Sequence, residues 1–395
     1  MPFDQNDQFQ SKFATPQDDQ QIRDGIDIES ELKIAIETPV LYPPLEQSVF
    51  AGDKVAIVVQ PGLPHPRSVL HALINALAEM NVSAEDISVV VNEKTARELE
   101  LDAAVYRLPD ETKSDQPPPV FDVEFGFHQV RFQVHDAENQ SGLAYLAANM
   151  DGEPVYVNRI LVDADFVLTL GSPLPGDATR AVDCIYPAFS GLAAQERFAS
   201  DAYPFNRKQA EIELANDMLG SFFVAQLVCG PGEVPTEFVA GVRKQATDQA
   251  RLATNENWEF RYDEDADTVV ATIESESSGQ DWDSFAEAVV FANQFVVGAG
   301  PIVVWSELDQ KPSSFAKRAC NDQFESVETT SKLPTKFQQL AGIVAERPIF
   351  LRSRLGRNTT EGLGLGYLES VEEVVKIAEP FERGLLIRDA HRCQR

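Results

Sequence analysis

Apolar residues fall along this chain in two alternating rhythms, and the alternation is itself the strongest structural signal. "KVAIVVQ", residues 54–60, is an unbroken β-branched run of the kind that forms a strand buried on both faces. A turn, "PGLPHPR", follows, and then Val69, Leu70, Leu73, Ile74, Leu77 and Met80 recur at helical spacing. "NVSAEDISVVVN" supplies a turn and a second buried strand, which completes a β-α-β unit and implies a parallel sheet with right-handed crossovers. "VFDVEF" and "QVRFQVHD" alternate more, as edge or antiparallel strands do, after the breaker-rich stretch at 107–119. "EPVYVNRILVDADFVLTLG" predicts a short strand, a turn of helix and another strand. "RKQAEIELANDMLG" predicts a helix, "SFFVAQLVC" a buried strand and "TEFVAGVRKQATDQARLA" a further helix.

The same grammar restarts after residue 254. "DTVVATIES", "GPIVVWSEL", "RPIFLRS" and "GLLIRD" are strands. "DWDSFAEAVVFANQFV", with Asp281 as its cap, and "LPTKFQQLAGIVAE" are helices. "SVEEVVKIAEPF" is a third helix, with Ser370 and Glu373 spaced as a capping box. The expected fold class is therefore α/β, with two α/β domains built on parallel-rich sheets, 29–254 and 255–395, and an interdomain cleft as the default ligand position. Residues 1–28, rich in Gln and Asp, predict a disordered acidic tail.

Composition narrows the function. Acidic residues number 63 against 33 Lys and Arg, a formal charge of −30 over 395 residues. Such a chain repels phosphate backbones, so nucleic acid is not an expected partner, and the charge is first of all a source of solubility. No stretch approaches 18 consecutive apolar residues and the amino terminus has no apolar core, so neither a membrane span nor a secretory signal is expected. Cys184, Cys229, Cys320 and Cys393 lie far apart with no CxxC pair, which points away from zinc and toward a reducing, cytoplasmic setting. No heptad is legible, and the sequence leaves the oligomeric state open.

Candidate chemistry is sparse. The turn before the first helix offers a helix N-terminus with Arg67 and Ser68 beside it, a setting that receives a carboxylate or phosphate, although its prolines also serve simply to shape a rigid loop. His65 in that turn is the one candidate acid–base group. In the loop that follows "DFVLTLG", Asp177, Arg180 and Asp183 recur every three residues, as on a solvated helical face. Arg180 is its anion-binding candidate, with Tyr186 and Ser190 as further ligand contacts. His71, His128, His135 and His391 are too scattered to assemble a metal site, so no metal is expected. "GLGLG" at 362–366 lacks the preceding strand of a nucleotide fingerprint.

Taken in order, "VAIVVQPGLPHPRSVLHALINALAEMNVSAEDISVVV", "EPVYVNRILVDADFVLTLGSP", "YPAFSG", "ESSGQDWDSFAEAVVFANQFVVGAGPIVVWSE" and "RPIFLRSRLGRNTTEGLGLGYLESVEEVVKIAEPF" make the chain resemble the nickel-dependent lactate racemase family over most of residues 50–390. The resemblance implies an isomerase scaffold, and for that family's active members a nickel–pincer nucleotide tethered to a lysine and ligated by histidines. Position by position those groups are replaced. The family's Asp-His-Thr-Arg-Pro turn reads Gln60, Pro61, Gly62, Leu63, Pro64, and Asn92, Glu93 and Lys94 stand near its Thr-His-Arg. Leu174 stands where the metal-binding histidine would be, Asp183 where the tethering lysine would be, and Ala286 and Val289 where the second domain has Gln and Lys. Leucine and aspartate can neither ligate nickel as imidazole does nor carry the tether. The expectation is thus a lactate-racemase-like protein without the nickel–pincer nucleotide that binds a small anionic, hydroxy-acid-like ligand or a partner. The alternative is a hydroxy-acid racemase or epimerase that works with different residues, His65 among them.

Overall fold

The computed structural model describes residues 3, 6–16, 25–102, 104, 117–126, 128–175, 185–200, 203–220, 223–274, 280–320 and 333–395. Two compact units divide the chain: an N-terminal unit of residues 25–229 and 235–254, and a C-terminal unit of residues 255–395 joined by 230–234 and by the described residues among the first 24.

Helix α1 (Asp7–Gln10) and strand β1 (Phe13–Ala14) open the chain and belong to the C-terminal unit. The N-terminal unit then runs α2 (Ile28–Glu37), β2 (Val55–Val59), α3 (Pro66–Glu79), β3 (Ile87–Val91), α4 (Glu93–Glu98), β4 (Val120–Phe125) and β5 (His128–Val134). It continues with β6 (Leu143–Ala148), β7 (Pro154–Asn158), α5 (Arg159–Val162), β8 (Phe166–Gly171), α6 (Leu192–Ala199), α7 (Phe205–Met218), β9 (Phe223–Gly230), β10 (Val234–Val242) and α8 (Arg243–Asn257). Seven strands form one sheet in the order β10-β9-β8-β2-β3-β5-β4. Its centre is parallel and β4 closes one edge antiparallel to β5, as the alternating pattern of those two segments required. Residues along β2 divide between two cores: Val55, Ile57 and Val59 pack with α2 and α3, while Ala56 and Val58 face Leu161, Val167, Ile185 and Phe189. That two-sided burial is why the strand is apolar at every position.

The C-terminal unit adds β11 (Thr268–Thr272), α9 (Trp282–Ala292), β12 (Ile302–Trp305), α10 (Ser314–Cys320), α11 (Thr335–Glu346), β13 (Ile349–Arg352), α12 (Arg357–Glu361), β14 (Gly366–Leu368), α13 (Val371–Ala378) and β15 (Gly384–Ile387). Its six-stranded sheet, β1-β15-β11-β12-β13-β14, is parallel in every pair. One face carries α9, α10 and α11; on the other, α13 packs with Val270, Val303, Trp305 and Leu386.

Three expectations are corrected. The first residues are not a tail where they are described: Phe3, Phe9 and Phe13 are buried, Phe9 stacks on Phe13 with ring centroids 4.1 Å apart, and β1 extends the sheet beside β15. Three phenylalanines in a Gln/Asp-rich stretch outweigh the composition, because together they finish an apolar face. Residues 236–242 form β10 rather than the start of a helix. The physical reason is Gly241 at φ +142°, so close to Val40 that a Cβ there would lie 2.3 Å from the Val40 carbonyl oxygen. Ser370, finally, makes no side-chain cap; Glu373 accepts instead from the backbone N–H of Glu369. By contrast Asp281 accepts from the Ser284 N–H at 2.8 Å and caps α9 as its position suggests.

Candidate functional site

The carboxyl ends of the central strands are where an open α/β sheet usually holds a ligand, and in the N-terminal unit the described residues at the ends of β2 and β8 are neutral. The Gln60 N–H donates to the Leu170 carbonyl, and Gly171 lies opposite Gln226 in the β8–β9 register. Gln60, Thr169 and Gln226 are all buried. Among the described residues, the Nε2 of Gln60, the Oγ1 of Thr169 and both carboxamide atoms of Gln226 have no hydrogen-bond partner. Only a glycine fits between the two carboxamides: a Cβ at Gly171 would meet the Gln60 Oε1 at 2.2 Å. Carboxamides can orient a ligand by hydrogen bonds, but they neither exchange protons near neutral pH nor bind nickel as imidazole does. A lone glutamine inside the apolar run "FVAQLVC" is the sequence signal for this cluster, and the sequence reading passed over it.

A second place has the residues the sequence singled out. A cavity of about 500 Å³ is lined by Arg67, Ser68 and His71 of α3, by Asp27 and Glu29 at the start of α2, and by Glu124, Phe125 and Gly126 at the end of β4. The Arg67 guanidinium lies 5.6 Å from the Phe125 ring centroid, and its Nη1 donates to the Leu99 carbonyl at 3.4 Å, which fixes its direction. His71 sits directly over Gly126, whose missing side chain leaves the imidazole its room. Two of the three carboxylates are engaged: Asp27 caps α2 by accepting from the Ser30 N–H and hydroxyl, and Glu29 accepts from the Asn75 amide. Pro66 fills the first helical position, and α3 has no side-chain N-cap, because His65 adopts φ +50° and contributes none.

The other candidates separate. His65 is exposed and does not line the cavity, so the structure does not bring it to the residues it was expected to serve. Tyr186 and Ser190 are fully buried and spent on the protein: the Tyr186 hydroxyl donates to Glu211 at 2.5 Å and the Ser190 hydroxyl to the Pro187 carbonyl at 2.7 Å. They are therefore framework residues, which corrects the expectation of ligand contact. Glu211 is the hub of that framework. It accepts also from Tyr203 at 2.6 Å, from Asn149 at 3.4 Å and from Arg197. Burial pushes the Glu211 carboxyl up, but the two tyrosine hydroxyls and Arg197 outweigh it and hold it below the usual range. His135 is half-buried, hydrogen-bonded to the Ser190 carbonyl at 2.9 Å, and desolvation lowers its pKa. Asp177, Arg180, Asp183 and Cys184 lie outside the described residues.

The C-terminal unit carries the charged edge that the sequence reading missed. Across the carboxyl ends of β15, β11, β12 and β13 stand Arg388 and Asp389, then Glu274, Glu307, and finally Arg352 and Arg354. Asp389 accepts from the backbone N–H groups of Glu274 at 2.6 Å and Gly232 at 2.8 Å. Arg388 pairs with Glu274 at 3.5 Å, and Arg392 pairs with Glu233 at 3.4 Å while lying over Trp258. His391 is half-buried beside them, and its desolvation chiefly pushes its pKa down to about 4.

The nickel–pincer nucleotide that the family likeness implies asks for imidazole ligands and a lysine tether. Among the described residues no three His, Cys, Asp or Glu side chains gather where they could hold a metal ion. Among the described residues, the end of β2 and the β9 position beside the end of β8 present the carboxamides of Gln60 and Gln226 instead, so these residues do not fit the group and no step is derived through it. No helix among the described residues is long and apolar enough to cross a membrane.

Residues 9–173 match the family model described as the lactate racemase N-terminal domain. No curated protein matches the chain by sequence. Among solved structures, the lactate racemase apoprotein of Thermoanaerobacterium thermosaccharolyticum superposes with a TM-score of 0.60 at 15% identity, over 94% of this chain and 93% of that one. A Thermotoga maritima protein superposes with a TM-score of 0.51 at 14% identity, over 93% and 96% of the two chains. The family match thus covers residues 9–173, and over the rest of the chain the likeness to lactate racemase is one of fold.

Proposed function

We propose that the protein binds a small hydroxy-acid-like carboxylate in the cavity at the start of α3, without the nickel–pincer nucleotide. The observation that carries this reading is the convergence of Arg67, Ser68 and His71 on one cavity of about 500 Å³ at an uncapped helix start. Arg67, held against Phe125, offers a planar fork that matches a carboxylate, and the helix end adds favourable partial charge. Glu124 on the far wall accepts from a ligand hydroxyl, which favours a hydroxy acid over a simple fatty acid. Asp27 and Glu29 are occupied by Ser30 and Asn75 and repel a second carboxylate, so a monocarboxylate is preferred.

Thermal shift against a panel of D- and L-hydroxy acids tests the reading. The wild-type protein should be stabilised by at least one of them. Arg67→Ala should weaken that ligand about 10–100-fold, the loss expected for a charge-assisted hydrogen bond worth about 1.5–3 kcal/mol. An undiminished shift in Arg67→Ala would refute it.

A racemase or epimerase reading gains from one observation: His71 lines the cavity beside Arg67, placing a base where His65 does not reach. Exchange of the ligand's α-hydrogen with deuterated solvent, lost in His71→Gln, is the result that reading requires.

A further inference from the structure

In a chain with a formal charge of −30, three arginines stand within six residues, Arg352, Arg354 and Arg357, with no lysine among them. They lie on the connection from β13 to α12, at the carboxyl edge of an all-parallel sheet. Arg352 is fixed: its guanidinium lies 4.9 Å from the Trp305 ring centroid and donates to the Ser306 carbonyl at 3.0 Å and to Glu307. Arg354 approaches the other oxygen of the same carboxylate through its Nε at 2.7 Å and remains 66% exposed. Asp309 acts on it by charge alone. Arg357 lies over Tyr367 and pairs with Glu361 at 3.4 Å.

We propose that Arg352 and Arg354 form a binding site for the phosphate of a small phosphomonoester, and that Glu307 occupies it as an internal stand-in anion. The proposal does not depend on the cavity at Arg67, which belongs to the other unit. One carboxylate between two guanidiniums leaves a net positive charge, whereas a phosphomonoester brings up to two negative charges and three oxygens, enough to satisfy both forks. Glu307 shows that an oxyanion fits there. Burial would raise its pKa, but the hydrogen bonds from Arg354 and Arg352 outweigh that and keep it ionised. Its side chain is 41% exposed, so it can swing into water when a ligand enters. Its backbone stays in place, because the Glu307 N–H donates to the Gln280 carboxamide.

Phenyl phosphate and inorganic phosphate, titrated calorimetrically into the full-length chain at low ionic strength, test the site, with phenyl sulfate as the monoanionic control. Phenyl phosphate should bind and phenyl sulfate should bind at least tenfold more weakly. Arg354→Ala should weaken phenyl phosphate at least tenfold, and Glu307→Gln, which removes the competing anion, should tighten it several-fold. Inorganic phosphate binding as well as the ester would place recognition in the phosphate alone; a tighter ester would add contacts to its organic part, and both outcomes support the site. No binding by wild type, full affinity in Arg354→Ala, or no gain in a folded Glu307→Gln would overturn it.

Discussion

Removing the Glu211 carboxylate should cost the N-terminal unit more than any single surface ion pair. Glu211 is 2% exposed and receives donors from Tyr186, Tyr203, Asn149 and Arg197, which come from four separate segments. Glu211→Ala leaves the buried Tyr186 hydroxyl proton without its acceptor, while the oxygen still accepts from Arg197 at 3.3 Å, a loss of about 1–3 kcal/mol. It also strips Arg197 of its most buried partner. Breaking a fully buried pair costs about 3–5 kcal/mol, but Arg197 is 22% exposed and keeps Glu153 at 3.1 Å, so water and Glu153 recover part of that. A total of about 3 kcal/mol follows, or about 6–12 °C in Tm for a unit of this size. Glu211→Gln keeps an acceptor for Tyr186 and loses only the charge, so it should cost roughly half as much. The same hub sets an alkaline limit. Burial first, then the hydrogen bond to Glu211 and its charge, push Tyr203 up to about 12 and Tyr186 higher still. The unfolded chain releases these protons near pH 10 while the folded chain keeps them, so stability falls as pH rises from about 10 to 12. Urea titrations at pH 7 to 11 would measure both effects. A Glu211→Ala variant within about 0.5 kcal/mol of wild type, or a wild-type and Glu211→Gln alkaline slope that coincide, would refute the reasoning.

Three other outcomes are expected. Gly241→Ala should destabilise the N-terminal unit by more than about 3 kcal/mol in a urea titration, since the new Cβ meets the Val40 backbone at a φ that side chains avoid. Phe9→Ala, which empties a buried site stacked on Phe13, should cost the C-terminal unit about 3–5 kcal/mol by calorimetry; a disordered N-terminus would give no change. His391, held near 4 by burial, is neutral in the folded chain at a pH where the unfolded chain takes up a proton, so the stability of the C-terminal unit should fall as pH drops from about 6.5 to 4. His391→Gln should flatten that acid limb, as followed by chemical denaturation at fixed pH steps.

The central strands and the longest helices of both sheets were legible because their burial is regular: β2, β9 and β11 are buried throughout and mostly apolar, and α3 repeats its apolar face turn after turn. What escaped was set by partners distant in sequence. Strand β1 is two residues long and exists because Phe13 lies over Gly384, which a local pattern cannot show. Strand β10 reads as helix until Val40 is brought to Gly241. For the site, Arg67 and Ser68 were identifiable from the turn chemistry that exposes them, whereas Tyr186 and Ser190 looked like ligand contacts only because their burial comes from elements 20 residues away or more. His71, scattered in sequence from the other histidines, lines the cavity because Gly126 just past β4 leaves space beside it. The charged edge of the C-terminal unit is assembled from four strand ends that are far apart in the sequence.

Independence of the nickel–pincer nucleotide is the central property proposed for this lactate-racemase-like scaffold. Intact mass and metal analysis of the full chain, expressed together with the enzymes that mature that cofactor, test it in one preparation. An unmodified mass with no stoichiometric nickel is the predicted result. A covalent adduct with bound nickel would contradict it, and would mean that Leu174 and Asp183 are not the positions that replace the family's histidine and lysine.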